Sequence, residues 1–452
     1  MNPTARAARR ARHNAAPTGQ PPATPHTEPL TEPLTEPMPT RPLPSTSRYQ
    51  EKREAVLNAA AVLFNQRGVK GATLADIATS VGLVTNSVTY YYRKKEDLAT
   101  ACFLRTIEAF DELAAAAARE ATTEGRIAAF YALLARLLAD IELGSHVPIV
   151  TFNDIRALPS PHAEQVFAAY TDMFRHVRNL LKGPATAQLP RDEFNARGHI
   201  VLSAAHNLRQ WIGRYEVDEY PRVAQRLADI VLHGLAAAGS GWQPADSERH
   251  WRLGEDSGGT SEAFLRAATA LVNEQGYRGA SVDKISARIN VTKGSFYHHN
   301  DNKHDLISEC FDRTFAVVRR ALSLAENGPG SGWSRACAAA RALVRYQLSD
   351  EGPLLRSTAV SALPDEAQRD RVRRTLFRLT ERMTSVVVDG MIDGSIRPLD
   401  PQIAAQASIA AINAGAELHR WVPSATIENA ADLFVRPALQ GVLCPSAVAV
   451  PA

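Results

Sequence analysis

Two short stretches hold the side chains best suited to gripping a polyanion. Residues 83–98 read LVTNSVTYYYRKKEDL, and residues 290–306 read NVTKGSFYHHNDNKHDL. In the first, Thr85, Asn86 and Ser87 supply small donors, Tyr90 and Tyr91 supply amphipathic rings, and Lys95 adds a cation. In the second the series is Thr292, Lys293, Gly294 and Ser295, then Tyr297, His298, His299 and Lys303. Thr89 stands in the first stretch where Tyr297 stands in the second. Hydroxyls and amides that open a helix bond to phosphate oxygens, assisted by the helix dipole.

Other chemistries find little footing. No nucleophile motif, phosphate loop or metal-ligand cluster is present, so neither an enzyme nor a cofactor is expected. His298 and His299 are adjacent, and neighbouring side chains on a helix point about 100° apart. Cys102, Cys310, Cys337 and Cys444 form no CxxC pair, which suits a reducing cytoplasm. No apolar run is long enough to span a bilayer, and no secretory signal opens the chain. The formal net charge is only +3, so positive charge aimed at a nucleic acid must be local.

The elements that must position these residues read as helices. Val56, Ala59, Ala60, Leu63 and Phe64 form one apolar face, which Arg67-Gly68 terminates. Residues 73–83 predict a second, short helix, with Thr73 and Asp76 at capping-box spacing. A third runs from Thr85 to Tyr91, with Tyr92 as a core ring, and KKEDL opens a longer helix. Strand signals are nearly absent. Residues 1–47 hold 11 of the 27 prolines and the tandem TEPLTEPLTEPM, and read as a disordered tail. Residues 238–260 read as a linker.

The chain then repeats itself. With Gly68 placed on Gly276, 208 residues apart, Asn65 meets Asn273, Ile77 meets Ile285, Ser87 meets Ser295 and Lys95 meets Lys303. Thr73 corresponds to Ser281, and Cys102 to Cys310. Further downstream, ALP at 157 returns at 362, and LRQW at 208 is answered by LHRW at 418. Whole units of about 200 residues are duplicated.

Helix, short helix, turn, short helix and a polar step describe a helix-turn-helix, whose recognition helix enters the major groove. Both copies resemble the DNA-binding head of the tetracycline-repressor (TetR/AcrR) family. The resemblance rests on Gly68, TLADIA, GLVTNSVTYYY and KKEDL in one copy. In the other it rests on Gly276, SVDKIS, NVTKGSFYHHN and NKHDL. It implies an all-α fold of two TetR-like units, each a three-helix head followed by a helical bundle. The expected heads are 48–100 and 261–307, and the expected effector and dimerisation bodies are 101–237 and 308–445. The resemblance implies DNA contacts from Thr73, Thr85, Asn86, Ser87, Thr89, Tyr90, Tyr91 and Lys95. In the second copy it implies Ser281, Thr292, Lys293, Gly294, Ser295, Tyr297, His298, His299 and Lys303. Asn300 replaces the family's packing ring there and Asp301 follows it, which weakens the second copy's claim on phosphate.

These features predict a regulator binding double-stranded operator DNA, with a small-molecule effector and a location in the bacterial cytoplasm, at the nucleoid. Segments 195–236 and 403–443 are expected to pair internally, making a covalent pseudo-dimer on an asymmetric operator. Three alternatives stand beside it: a homodimer with four heads, a second unit serving only dimerisation or effector binding, and a protein-binding scaffold.

Overall fold

The computed structural model describes residues 47–242, 251–254, 260–294, 303–363 and 365–446. The described residues form one compact unit. The expected tail, apart from Ser47, and part of the expected linker lie outside the described residues. Among the described residues the structure is helical, and the isolated bridge Ala236–Ile396 is the extended pairing it contains. No described helix is long and apolar enough to cross a membrane.

The first head is α1 (Ser47–Arg67), α2 (Leu74–Ser80) and α3 (Thr85–Tyr91), closed by the start of α4 (Lys95–Ala117). Val56, Ala60 and Phe64 of α1 bury with Ile77 of α2, Val88 of α3 and Leu98 and Phe103 of α4. Thr73 caps α2 through the expected reciprocal bonds with Asp76. The second head begins with α9 (Thr260–Gly279) and α10 (Val282–Arg288), followed by α11 (Lys303–Glu326). Phe264, Ala268, Leu271, Ile285, Leu306 and Phe311 give it a core of its own. Gly68 and Gly276 both have φ 71°, ending α1 and the straight part of α9 in the same way. The helix-turn-helix corner needs positive φ in both copies. Gly82 supplies it at 65° and Asn290 at 59°, asparagine being a residue that tolerates the left-handed region.

Each head leads into a helical body. The first comprises α4, α5 (Thr123–Glu142), a 3-10 turn (Phe152–Ala157), α6 (His162–Asn179), α7 (Arg191–Trp211) and α8 (Tyr220–His233). The second comprises α11, α12 (Gly332–Leu348), a 3-10 turn (Ser357–Ala362), α13 (Glu366–Ile392) and α14 (Pro401–Ala414). Its final helix is broken into α15 (Leu418–Trp421), a π-turn (Ala431–Val435) and α16 (Arg436–Gln440). The linker ends are docked rather than free. Trp242 donates to Asp432 at 2.6 Å and lies under Arg341, and Leu253 is buried.

The two bodies are sewn together. α7 and α8 pack on α14, the π-turn and α16. Asn195 donates to Trp421 O (3.0 Å), His199 Nε2 lies 3.0 Å from Ala414 O, and Asn207 donates to Gln406 O (3.1 Å). Arg197 is fully buried beside Glu193 and donates to the carbonyls of Val442 and Cys444. Arg226 pairs with Asp400, and Arg397 with Asp229, both at 2.7 Å.

At the centre the two units exchange backbone bonds. Leu235 N–H donates to Leu439 O (2.7 Å), and Val442 N–H donates to Val231 O (2.9 Å). Gly234 (φ 70°) and Gly441 (φ 91°) meet there, and a Cβ on either would overlap the other strand's backbone. Gly82 has similar dihedral strain but open space where its Cβ would lie. Gly234→Ala should therefore lose about 3 kcal/mol or more, against roughly 1 kcal/mol for Gly82→Ala, in urea melts. Equal losses would contradict the close approach.

Candidate nucleic-acid interface

In the first head α3 presents its polar face outward. Thr85 and Asn86 are exposed, Ser87 and Thr89 half-buried, and Val88 is fully buried, pinning the helix to the core. Val84 precedes α3 with extended backbone and no side-chain cap, and in the first turn Ser87 N–H donates to Val84 O at 2.9 Å. The Thr89 hydroxyl donates to Asn86 O at 2.9 Å, so its proton is engaged within its own helix.

The three tyrosines separate as expected. Tyr90 is 67 % exposed, Tyr91 half-buried and Tyr92 buried. Burial pushes the Tyr92 phenol up to about 12, and Arg53 lies over its ring at 5.2 Å. Tyr90 and Tyr91 form an aromatic ledge with Tyr49 at the start of α1, with centroids 5.8 and 5.0 Å from it. Sequence reasoning passed over Tyr49. Its signal was an aromatic at the first turn of α1, beyond the helix-turn-helix pattern.

Lys95 donates to Ala72 O at 3.1 Å, and Lys303 donates to Tyr277 O while lying over the Tyr277 ring. Both ammoniums thus brace the turn after the head's first helix, a role the sequence reading had not assigned them. In the second head, Ser281 caps α10 by accepting from Lys284 N–H, with lysine where the first head has its reciprocal aspartate. Thr292, Lys293 and Gly294 are exposed, and Lys293 pairs with Asp283 at 3.1 Å. Ser295, Tyr297, His298 and His299 lie outside the described residues. Among the described residues no group of three His, Cys, Asp or Glu is placed to hold a metal.

Each head is tied to its body by the same bonds, made twice. Asn65 on α1 donates to Ile149 O (2.8 Å) and accepts from Thr151 N–H (3.0 Å). Asn273 on α9 donates to Leu354 O (2.8 Å) and accepts from Arg356 N–H (3.1 Å). Thr106 and Thr314 accept from Val150 and Leu355 N–H, each at 2.9 Å. Arg105 with Glu54 (3.5 Å) and Arg313 with Glu262 (2.6 Å) repeat as well. The match of Asn65 with Asn273 was visible in the repeat, but not what either side chain held.

One brace has no twin. Asp154, in the first body's 3-10 turn, accepts from Val69 N–H at 2.7 Å, and a Cβ on Gly276 would lie 3.3 Å from its other oxygen. The hinge turns of both heads therefore converge on one carboxylate, whose pKa burial raises. The repeat places Ala359 at the corresponding position.

Nearby, Glu417 bridges the two units by accepting from Arg356 and lying 3.7 Å from Arg156. Burial raises its pKa, but Arg356 and then Arg156 outweigh burial and hold the carboxyl at about 2. A lowered carboxyl contributes stability that is whole above its ordinary value of 4.5 and is lost as pH falls toward about 2. The stability gap between wild type and Glu417→Gln should thus be widest above about pH 5 and narrow as pH drops. Urea melts from pH 7 to pH 3 measure it, and a constant gap would contradict the pairing.

Fold and interface together define a tandem helix-turn-helix protein. A family profile described as "Bacterial regulatory proteins, tetR family" matches residues 56–102 and again residues 264–310. The tetR-family domain thus occurs twice in the chain, once in each head. The Transposon Tn10 TetC protein of Escherichia coli is 35% identical over 75 residues, 17% of this chain and 38% of that protein. The HTH-type transcriptional repressor DhaR of Mycobacterium sp. (strain GP1) is 28% identical over 152 residues, 32% of this chain and 75% of DhaR. The negative regulator IcaR of Staphylococcus epidermidis is 38% identical over 54 residues, 12% of this chain and 29% of IcaR.

Proposed function

We propose that this chain is a DNA-binding transcriptional regulator, a repressor acting as a covalent pseudo-dimer and relieved by a small molecule. It works on the cytoplasmic nucleoid, and its two heads read an operator of two unlike half-sites. The observation that carries this reading is the pairing of α7 and α8 with α14, the π-turn and α16 inside one chain, with a head braced to each body. The family to which the heads belong, and the repressor DhaR among its relatives, support the regulatory class. The exposed face of Thr85, Asn86 and Tyr90 supports direct contact by the first head.

Thr73 and Ser281, Ser87 and Ser295, and Lys95 and Lys303 are the positions the heads share in kind. Asn86 against Gly294 and Thr89 against Tyr297 make their recognition surfaces different. Head two carries less free positive charge, since Asp283 holds Lys293. That favours a graded second reading, in which the first head supplies most of the affinity.

Footprinting on DNA upstream of the chain's own gene tests the proposal. Two protected, unlike half-sites about one helical turn apart are expected, with affinity falling steeply with salt. Asn86→Ala with Tyr90→Ala should weaken binding about tenfold or more and thin the footprint at one half-site only. Lys293→Ala with Tyr297→Ala should thin the other. A palindromic footprint, or binding without salt dependence, would sink the reading.

A further inference from the structure

The two bodies share a plan but not an interior. In the first, Phe110, Phe152, Tyr170 and the half-buried His206 pack ring against ring in edge-to-face and tilted pairs, with centroids 5.0 to 6.1 Å apart, and Phe174 stacks on Trp421 at 3.7 Å. Burial pushes the His206 imidazole down to about 4, so it sits there neutral. Rings fill this body.

The same positions in the second body are small. Val318 lies 208 residues after Phe110, and Ser357 lies 205 after Phe152. Along α13 the buried pattern of Val372, Leu379 and Met383 repeats that of Val166, Met173 and Val177 in α6, 206 residues earlier. That register sets Leu376 opposite Tyr170 and Thr380 opposite Phe174. Val318, Ser357, Leu376 and Thr380 all line a cavity of about 1160 Å³. Its interior is apolar at Leu322, Leu343 and Met383. Its lining also carries the exposed Arg214 and Arg373 and the half-buried Lys70 and Arg369. Among the described residues lining it, Asp154 is the single carboxylate, and burial favours its neutral form.

We infer that the chain takes up one amphipathic anion, an apolar body ending in a carboxylate or phosphate group, in this single cavity, which the second body and part of the first unit line together. The apolar part occupies the space that rings fill in the first unit, and the anionic end faces the cations. Gly68 and Gly276 line the same cavity, so it borders the turns after the first helix of both heads. This inference rests on the ligand-responsive part of the proposed function.

Calorimetric titration of the full chain without DNA tests it, using dodecanoate, dodecyl phosphate and dodecyltrimethylammonium below their micelle concentrations. One dodecyl anion per chain is expected, with the carboxylate and phosphate arms identifying the preferred head group, and at least tenfold weaker binding of the cation. Thr380→Phe restores a ring where the first unit has one and should weaken anion binding at least tenfold. Ser357→Phe provides an independent plug, and each variant's helical circular dichroism and melting curve check that it folds. Two anions per chain, equal binding of the cation, no anion binding, or binding unchanged in both folded plug variants would overturn the inference. Because no DNA is present, loss of operator binding alone would sink the regulatory reading and leave this one standing.

Discussion

Everything in this molecule hangs on the seam where Gly234 and Gly441 meet. Two heads of about 50 residues can act together only if their bodies hold a constant relation. The seam provides that relation through backbone bonds from Leu235 and Val442, ringed by Arg226–Asp400 and Arg397–Asp229. Backbone approaches this close only where no side chain intervenes, so glycine is required on both sides. The buried Arg197, whose guanidinium bonds to carbonyls of the last segment, adds a cost if the seam opens, because its charge would lose those acceptors.

Pairing within one chain changes the rules of symmetry. A two-chain dimer uses the same patch twice, so any substitution appears on both sides of the axis. A linked pair meets at high effective concentration and is free to diverge. The divergence is visible wherever the copies correspond. Asp154 faces both turns while its counterpart is Ala359, α8 is continuous while α15 and α16 are interrupted, and one body is packed with rings while the other borders a cavity. What has stayed alike is the head-to-body brace of Asn65 and Asn273 with Thr106 and Thr314.

The heads were legible in the sequence because their signals are local. Thr73 with Asp76, Gly68, Gly82 and the apolar spacing of α1 each act within a few residues, and α3 begins and ends at the expected Thr85 and Tyr91. The duplication was legible because it is a comparison of the chain with itself. The braces were not, since Asn65 holds backbone 84 residues away and Glu417 meets Arg156 across the seam. Nor does a lysine at the start of a helix announce whether it turns to phosphate or, like Lys95, also to its own chain. The scattered aromatics of the bodies read alike as core, and only packing separates the filled interior from the hollow one.

Native mass measurement of the full chain, alone and on its operator fragment, tests the central claim that one chain is a complete pair of reading heads. The account predicts a monomer in solution and one chain per operator fragment. Two chains per fragment, or an obligate dimer in solution, would contradict it.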